Sequence, residues 1–326
     1  AADQHRVLCL DAVSGEPRWQ YTTGARVDSP PTYHEGLVLF GSTDGHVYCL
    51  RATDGALVWR RRAAPETRLM AAFGQLESVW PVNGSVLVQK GVAYFVAGRS
   101  SHLDGGLHVY AVAPQTGKIL AQTNVVGPYY NSKNVKENFA LPQGRLPDIL
   151  VGDGEKVYMR TMAFTAGLKP SKGKPKQNVP GGYLDDTYFK RIPWRYGGQY
   201  GRLLVHNREV MACIRQFDTL RGLDPTVFFT PGDRGYLLFA KSQVKDGKSW
   251  QRRIRVRIRA MALSKSRLVV AGPPDGMPLD DPLGPYEGRK GARLHVVDVA
   301  TGEDAATFGL ASPPVFNGIA TAAARL

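Results

Sequence analysis

Cysteine is scarce in this sequence. It occurs three times in 326 residues, at Cys9, Cys49 and Cys213. Cys9 and Cys49 lie at equivalent positions in two copies of an internal repeat, and stacked repeats would hold them further apart than the roughly 7 Å between Cα atoms that a disulfide allows. Cys213 lies in an apolar run and is expected to be a small buried residue. The sequence therefore predicts three free thiols.

Residues that could form a catalytic or metal site are also few. The seven histidines are scattered through the chain without a repeated metal-ligand spacing. His5 and Cys9 are four positions apart, but a single pair does not make a site. The paired acids at 185–186 and 280–281 have the character of solvated turns. Neither a calcium-binding loop nor a Gly-x-Ser-x-Gly nucleophile motif is present, so the sequence predicts no catalytic residue and no metal ligand.

Long apolar runs are absent, whereas basic residues are in excess. No stretch approaches the roughly 18 consecutive apolar residues of a membrane-spanning helix. The chain has 42 Lys and Arg against 28 Asp and Glu, a net charge of +14. That balance favours an anionic partner and says nothing about the fold. The motifs of common nucleic-acid-binding folds are missing, so we expect a protein partner or an acidic polysaccharide rather than nucleic acid.

The sequence does contain an internal repeat. A short β-like stretch runs four times into a turn that ends in glycine, at Gly15, Gly55, Gly117 and Gly302. In the first two copies a tryptophan follows, Trp19 or Trp59, and these copies are 40 residues apart. A period of about 40 residues with several short strands per unit is typical of propeller blades. A β-sandwich with chance similarity is the alternative.

Each repeat has the properties of one blade. Residues 47–50 alternate as a strand does, the glycine suits a turn that needs positive φ, and the tryptophan can fill the wedge between neighbouring sheets. A single sheet cannot bury both of its faces, so the blades must stack. We therefore predict an all-β fold, a β-propeller of four-stranded antiparallel blades. Counting segments between turns gives about six blades, or seven or eight if long connections hide further strands.

These residues resemble the tryptophan-docking repeat of the pyrroloquinoline-quinone-like propeller superfamily. The likeness covers essentially the whole chain, and it is greatest to propeller regions of large bacterial proteins of the planctomycete type, through runs such as 73–78, 97–101 and 269–275. The superfamily includes quinoprotein dehydrogenases and non-enzymatic scaffolds such as the outer-membrane assembly lipoprotein. The resemblance implies covalently linked neighbouring domains and an exported, periplasmic or extracellular location, although the sequence shows no signal peptide.

The resemblance leaves more than one function open. Quinoprotein dehydrogenases need pyrroloquinoline quinone, a calcium ion with carboxylate and amide ligands, an aspartate base and, in several groups, a vicinal disulfide. No residues here can be mapped onto those ligands one by one. We therefore expect a non-catalytic binding or scaffold module without a cofactor, presenting its channel face or rim to a partner. A dehydrogenase using pyrroloquinoline quinone and calcium is one alternative, and a basic, nucleic-acid-binding propeller is a second.

The sharpest concentration of positive charge lies within residues 252–259. Strand alternation would place three aliphatic residues on one face, Ile254, Val256 and Ile258. It would place four arginines on the other face, Arg253, Arg255, Arg257 and Arg259. Guanidinium groups about 7 Å apart along a strand suit carboxylate, sulfate or phosphate groups. The row is interpreted either as an anion-binding strip or as a solvated or ion-paired strand.

The two ends of the chain carry related sequence. Ser-Pro-Pro occurs at 29–31 and again at 312–314. We expect one propeller domain over 1–326, with its ring closed by pairing of the N-terminal (1–24) and C-terminal (312–326) strands. A chain cut at two equivalent points of a longer array is the alternative. Long insertions between strands are predicted at three places, 125–145, 165–200 and 273–291.

Overall fold

The computed structural model of the chain describes residues 5–72, 74–127, 145–147, 149–160, 162–178, 194–215, 234–276, 278–314 and 318–319. The chain divides into two compact units, Ala1–Asp185 and Asp186–Leu326. Strands provide nearly all of the regular structure in both units.

Among the described residues, the first unit contains three four-stranded antiparallel sheets and two hairpins. Its strands are β1 (Arg6–Leu10), β2 (Pro17–Thr22), β3 (Thr32–His34), β4 (Leu37–Gly41), β5 (His46–Arg51), β6 (Leu57–Arg62), β7 (Leu69–Ala72), β8 (Gln75–Ser78), β9 (Leu87–Gln89), β10 (Val92–Ala97), β11 (Leu107–Val112), β12 (Ile119–Val125), β13 (Leu150–Gly152), β14 (Val157–Met159), β15 (Met162–Phe164), β16 (Pro170–Ser171) and β17 (Gln177–Asn178). Strands β3–β6, β9–β12 and β13–β16 form meanders in chain order, and β1–β2 and β7–β8 form two-stranded sheets.

The second unit contains two further four-stranded meanders, β20–β23 and β24–β27. Its elements are β18 (Trp194–Tyr196), β19 (Gln199–Gly201), β20 (Leu203–His206), β21 (Val210–Arg215), β22 (Tyr236–Ser242), β23 (Trp250–Ile254), β24 (Ala260–Leu263), β25 (Arg267–Gly272), α1 (Gly284–Glu287), β26 (Ala292–Asp298) and β27 (Asp304–Leu310). In the part of the chain that the structure describes, no helix has the length and apolarity needed to cross a membrane.

The sheets of the first unit pack face to face. On β10, Phe95 points into a core shared with Leu39 of the β3–β6 sheet, whereas the adjacent Tyr94 points into a core shared with Val157 of the β13–β16 sheet. The central strands are therefore buried on both faces and read as continuous apolar runs. The fourth strands, such as β6 and β12, are half-exposed and alternate. This is the stacking that the repeat predicts.

Two tryptophans of the first unit dock on a turn of the sheet that follows them. Trp19 of β2 donates its Nε1–H to the carbonyl oxygen of Ala52 at 2.9 Å. Trp59 of β6 donates in the same way to Pro114 at 2.7 Å. The sequence predicts that both indoles fill the wedge between neighbouring sheets. They occupy equivalent sites but are half-buried, because they lie on outer strands.

The turn that receives each indole requires glycine for two reasons. A Cβ atom at Gly55 would lie 2.7 Å from the ring of Trp19, and one at Gly117 would lie 2.7 Å from the ring of Trp59. Both glycines also have positive φ, 72° and 66°, as does Gly15 at 76°. A larger residue would therefore strain the backbone and displace the indole.

A third docked tryptophan lies in the second unit and was not anticipated. Trp250 of β23 donates to the carbonyl oxygen of Val299 at 2.8 Å, and its ring packs against Gly302, which has φ of 78°. Trp250 lies four positions after the positive-φ residue of its own hairpin turn, as Trp19 lies four positions after Gly15, but that residue is Asp246, with φ of 61°. The sequence therefore lacks the glycine that marks this turn in the first two copies.

Several predictions about organisation lie partly outside the described residues. Ring closure between 1–24 and 312–326 involves such positions and stays a prediction, and most of the insertion at 125–145 also lies outside them. The predicted insertion at 165–200 includes β16, β18 and β19, and that at 273–291 includes α1. These two connections therefore contain regular structure of their own.

Candidate functional site

The arginine segment, residues 252–259, joins two neighbouring sheets of the second unit. Strand β23 ends at Ile254. The chain then runs beside the residues that follow β25, with the Arg257 N–H donating to Pro273 O at 2.9 Å and the Asp275 N–H donating to Arg255 O at 3.0 Å. Gly272 permits this approach, because a Cβ atom there would lie 2.0 Å from the Arg257 carbonyl oxygen. The prediction that all four arginines share one strand was therefore wrong.

Burial within the segment follows the predicted alternation only in part. The three aliphatic residues are buried, namely Ile254, Val256 and Ile258. Arg253 and Arg255 are exposed and Arg259 is half-buried, but Arg257 is only 2% exposed. Arg257 is buried because the chain has already entered the ladder beside β25. The segment thus presents two exposed arginine residues rather than a row of four.

A half-buried carboxyl lies beside these arginines. Burial raises the pKa of Asp275 to about 6, while a hydrogen bond from Tyr236 and the positive charges of Arg257 and Arg255 act in the opposite direction. Tyr236 is itself fully buried at the start of β22. Arginine, carboxyl and phenol groups therefore form one cluster, the arginine-rich cluster, at the point where the chain changes sheets.

The remaining arginines of the strand are held by neighbours. Arg252 forms an ion pair with Asp304 at 2.5 Å, and Asp304 also lies 3.2 Å from Nδ1 of His295. Arg253 donates from Nη1 to the carbonyl oxygen of Gly235 at 3.1 Å. The first contact ties the strand to Asp304, and the second holds one nitrogen of the Arg253 guanidinium group against the backbone.

The described residues do not assemble a quinoprotein-type centre. Among them, no three histidine, cysteine, aspartate or glutamate side chains come together as a metal site. The three cysteines are free, and burial raises the pKa of Cys49 and of Cys213 to about 12. Cys213 is fully buried, as predicted. Within the described ranges, these side chains therefore provide no such set of ligands.

A second charged cluster, in the first unit, was missed by the sequence analysis. Arg26 lies between two carboxylates, 2.6 Å from Glu77 and 3.4 Å from Asp28, and all three side chains are buried. Burial raises the pKa of Glu77, and the neighbouring charge of Asp28 acts in the same direction, whereas Arg26 lowers it. Glu77 belongs to one of the runs that carry the family resemblance, but nothing in the sequence pairs it with Arg26. We call this group the carboxylate-rich cluster.

Comparisons with known proteins agree with this architecture. The solved structure of BamB from Moraxella catarrhalis is similar over 95% of this chain and 84% of that protein, with 11% identity and a TM-score of 0.51. BamB is a β-propeller, and at this identity the likeness shows the fold alone. The predicted all-β propeller class is confirmed.

The family is shown by the sequence itself. Residues 1–163, half of the chain, match the family described as outer membrane protein assembly factor BamB, and the chain belongs to that family. No curated protein matches it. The predicted likeness to planctomycete proteins stays a prediction.

Two quinoprotein structures are similar at a lower level. The quinohemoprotein alcohol dehydrogenase ADHIIG from Pseudomonas putida HK5 has 11% identity and a TM-score of 0.48, over 95% of this chain and 64% of that enzyme. A europium-containing methanol dehydrogenase has 13% identity and a TM-score of 0.48, over 97% of this chain and 76% of that enzyme. At these scores neither enzyme bears on the function of this chain.

Proposed function

We propose that this chain is a non-catalytic binding module that holds an acidic segment of a partner protein on its arginine segment. The observation that carries the proposal is the exposure of Arg253 and Arg255 beside a buried, rigid backbone. The family name, which describes an assembly factor, supports a partner that is a protein. The net charge of +14 favours the approach of an acidic one.

The geometry suits carboxylates. Arg253 and Arg255 are exposed on either side of the buried Ile254, so both arginine side chains can reach an extended acidic segment. Guanidinium groups bind carboxylates through paired N–H donors, which a lysine ammonium does not offer. The hydrogen bond from Arg253 to Gly235 and the backbone bond at Arg255 reduce the entropy lost on binding.

Peptide binding tests the proposal. We expect a peptide of alternating glutamate and threonine to bind the protein at low salt. The Arg253→Gln/Arg255→Gln variant should weaken that binding about fivefold to tenfold, because two exposed ion pairs contribute about 1 kcal/mol together. The matched control is Lys172→Gln/Lys174→Gln, which removes two exposed positive charges that are also two positions apart.

The outcomes separate the candidate partners. Equal weakening in both variants would show only a general charge effect and would overturn the proposal. The protein could instead fail to bind the glutamate peptide but bind a heparin-like or pectin-like polymer, with that binding weakened in the Arg253→Gln/Arg255→Gln variant. This result would assign the segment to an acidic polysaccharide. Binding should be measured by isothermal titration at two salt concentrations, because exposed ion pairs are screened by salt.

A further inference from the structure

The hairpin β7–β8 lies in the first unit between the β3–β6 and β9–β12 sheets in chain order, and one of its faces is anchored. Glu77 on this face forms the buried ion pair with Arg26, and Gln75 is hydrogen-bonded to His5 at 2.8 Å. Met70 packs against the core that these sheets share. The Ser78 N–H donates to Thr43 O at 2.8 Å. The hairpin is therefore held rigidly on one side and along the edge of β8.

The other face of the hairpin is apolar and exposed. It carries Leu69 and Ala71 of β7 and Leu76 of β8, because Ala71 pairs with Leu76 in the register and Leu69 lies two positions away on the same face. Leu69 is 54% exposed and Leu76 is 64% exposed. Large apolar side chains on a rigid, exposed sheet are typical of a surface that binds another protein.

The edge of β7 also presents backbone groups. The Val79 N–H donates to Arg68 O, and so positions 68, 70 and 72 of this antiparallel pair point their backbone groups toward β8. The backbone groups of Leu69 and Ala71 therefore point outward. Among the described residues, no strand pairs with β7 on that side. Edge strands are commonly protected by charge, proline or a bulge, and β7 has the sequence Leu-Met-Ala-Ala.

We propose that the β7 edge binds an extended segment of a partner protein, which adds to β7 as a third strand. Only an extended backbone offers N–H and C=O groups at the spacing of Leu69 and Ala71. Alternate apolar side chains of that segment would cover Leu69 and Leu76. Arg62 is exposed beside the start of β7, whereas Arg68 is ion-paired with Asp104 at 2.5 Å, so the segment has an acidic residue at the end that faces Arg62.

This inference shares with the proposed function only the claim that the chain binds a partner protein. It rests on the β7–β8 hairpin and not on the arginine segment, so either can fail alone. The probe is an eight-residue peptide of alternating valine and threonine with an aspartate at one end. Its control is the same peptide with N-methylated amides on the edge that faces β7, because methylation removes the hydrogen bonds that a third strand needs.

Two variants alter the edge and one serves as a matched control. Ala71→Pro removes an N–H that points outward, so the hydrogen bonds within the hairpin are retained. Leu69→Lys places a charge on the edge. Leu120→Lys makes the same change on the outer strand β12 at a residue that is also 54% exposed. We expect Ala71→Pro and Leu69→Lys to weaken peptide binding at least tenfold and Leu120→Lys to leave it unchanged.

Hydrogen exchange gives a second readout. The unmethylated peptide should slow exchange in residues 68–72 of the unmodified protein and the methylated peptide should not. Equal binding by the edge variants and the control, or no binding of the peptide to the unmodified protein, would overturn the proposal. Concentration-dependent dimerisation of the protein that Ala71→Pro abolishes would also overturn it, because the occupant of the edge would then be a second copy of this chain.

Discussion

The carboxylate-rich cluster and the arginine-rich cluster use the same residue types in opposite proportions. In the first, Arg26 lies between the carboxylates of Asp28 and Glu77. In the second, Asp275 lies near Arg255 and Arg257. Burial raises the pKa of Glu77 in the first cluster and of Asp275 in the second, because low-dielectric surroundings disfavour the charged form. The difference in proportion indicates different roles.

The carboxylate-rich cluster joins two parts of the first unit. All three of its side chains are buried, and its ion pair fastens the β7–β8 hairpin to the loop before β3. The arginine-rich cluster extends to the surface through Arg255, with Arg253 beside it. A closed cluster is expected to affect stability alone. An open, positively charged one is expected to affect binding as well, and that contrast is what the following variants test.

The largest effect is expected from Arg26→Met. The change leaves the carboxylates of Asp28 and Glu77 buried without their counter-charge, so the free energy of unfolding should fall by about 3–5 kcal/mol. Denaturant unfolding measures it. The control is Arg26→Met/Asp28→Asn/Glu77→Gln, which should recover most of the loss because no buried charge is left. If the single variant is as stable as the unmodified protein, the cluster does not hold the hairpin.

A smaller loss is expected from Arg257→Met. Asp275 then loses one opposing charge but keeps Arg255 and the hydrogen bond from Tyr236, so the free energy of unfolding should fall by about 2 kcal/mol. The same denaturant series measures it. A loss as large as that of Arg26→Met would show that the two clusters do not differ in the way described.

Stability should also depend on pH through Asp275. Its pKa of about 6 in the folded protein is higher than the roughly 3.9 of an unfolded chain, so the folded protein binds this proton more tightly. Protonation of Asp275 therefore stabilises the folded protein fully below about pH 4. This stabilisation is lost as the pH rises through about 6. We expect a loss of about 1–2 kcal/mol after solvent screening.

Comparison with Asp275→Asn isolates this contribution. The variant should lack that part of the pH dependence and should be the more stable protein at pH 7. It should also bind the glutamate peptide more tightly, because a negative charge beside Arg255 has been removed. Parallel stability curves for the two proteins between pH 4 and 7 would contradict the assignment.

The smallest effect on stability is expected from Arg253→Gln/Arg255→Gln. Both side chains are exposed, and the packing of this segment comes from Ile254 and Val256, which are buried. The free energy of unfolding should change by no more than about 0.5 kcal/mol, although binding is weakened. A change of several kcal/mol would place these arginines with the structural residues.

The sequence was sufficient for the fold but not for the site. The 40-residue spacing of Trp19 and Trp59 predicted stacked blades because docking repeats once per blade. The aliphatic alternation also predicted burial of Ile254 correctly. It did not predict that the chain leaves β23 at that residue, because the same alternation continues through the crossing into the next sheet. Arg26 and Glu77 were missed because one lies in a loop and the other on a short hairpin far away in sequence, so that no periodic signal connects them.

Charge reversal tests the binding function of the arginine segment most directly. We expect the Arg253→Glu/Arg255→Glu variant to lose binding of the glutamate peptide. It should instead bind a peptide in which lysine replaces each glutamate. Its free energy of unfolding, measured by denaturant, should stay close to that of the unmodified protein. The gain is decisive because a damaged fold loses binding but does not acquire the opposite preference. Loss of glutamate binding without a gain of lysine binding, or retention of glutamate binding, would contradict the account.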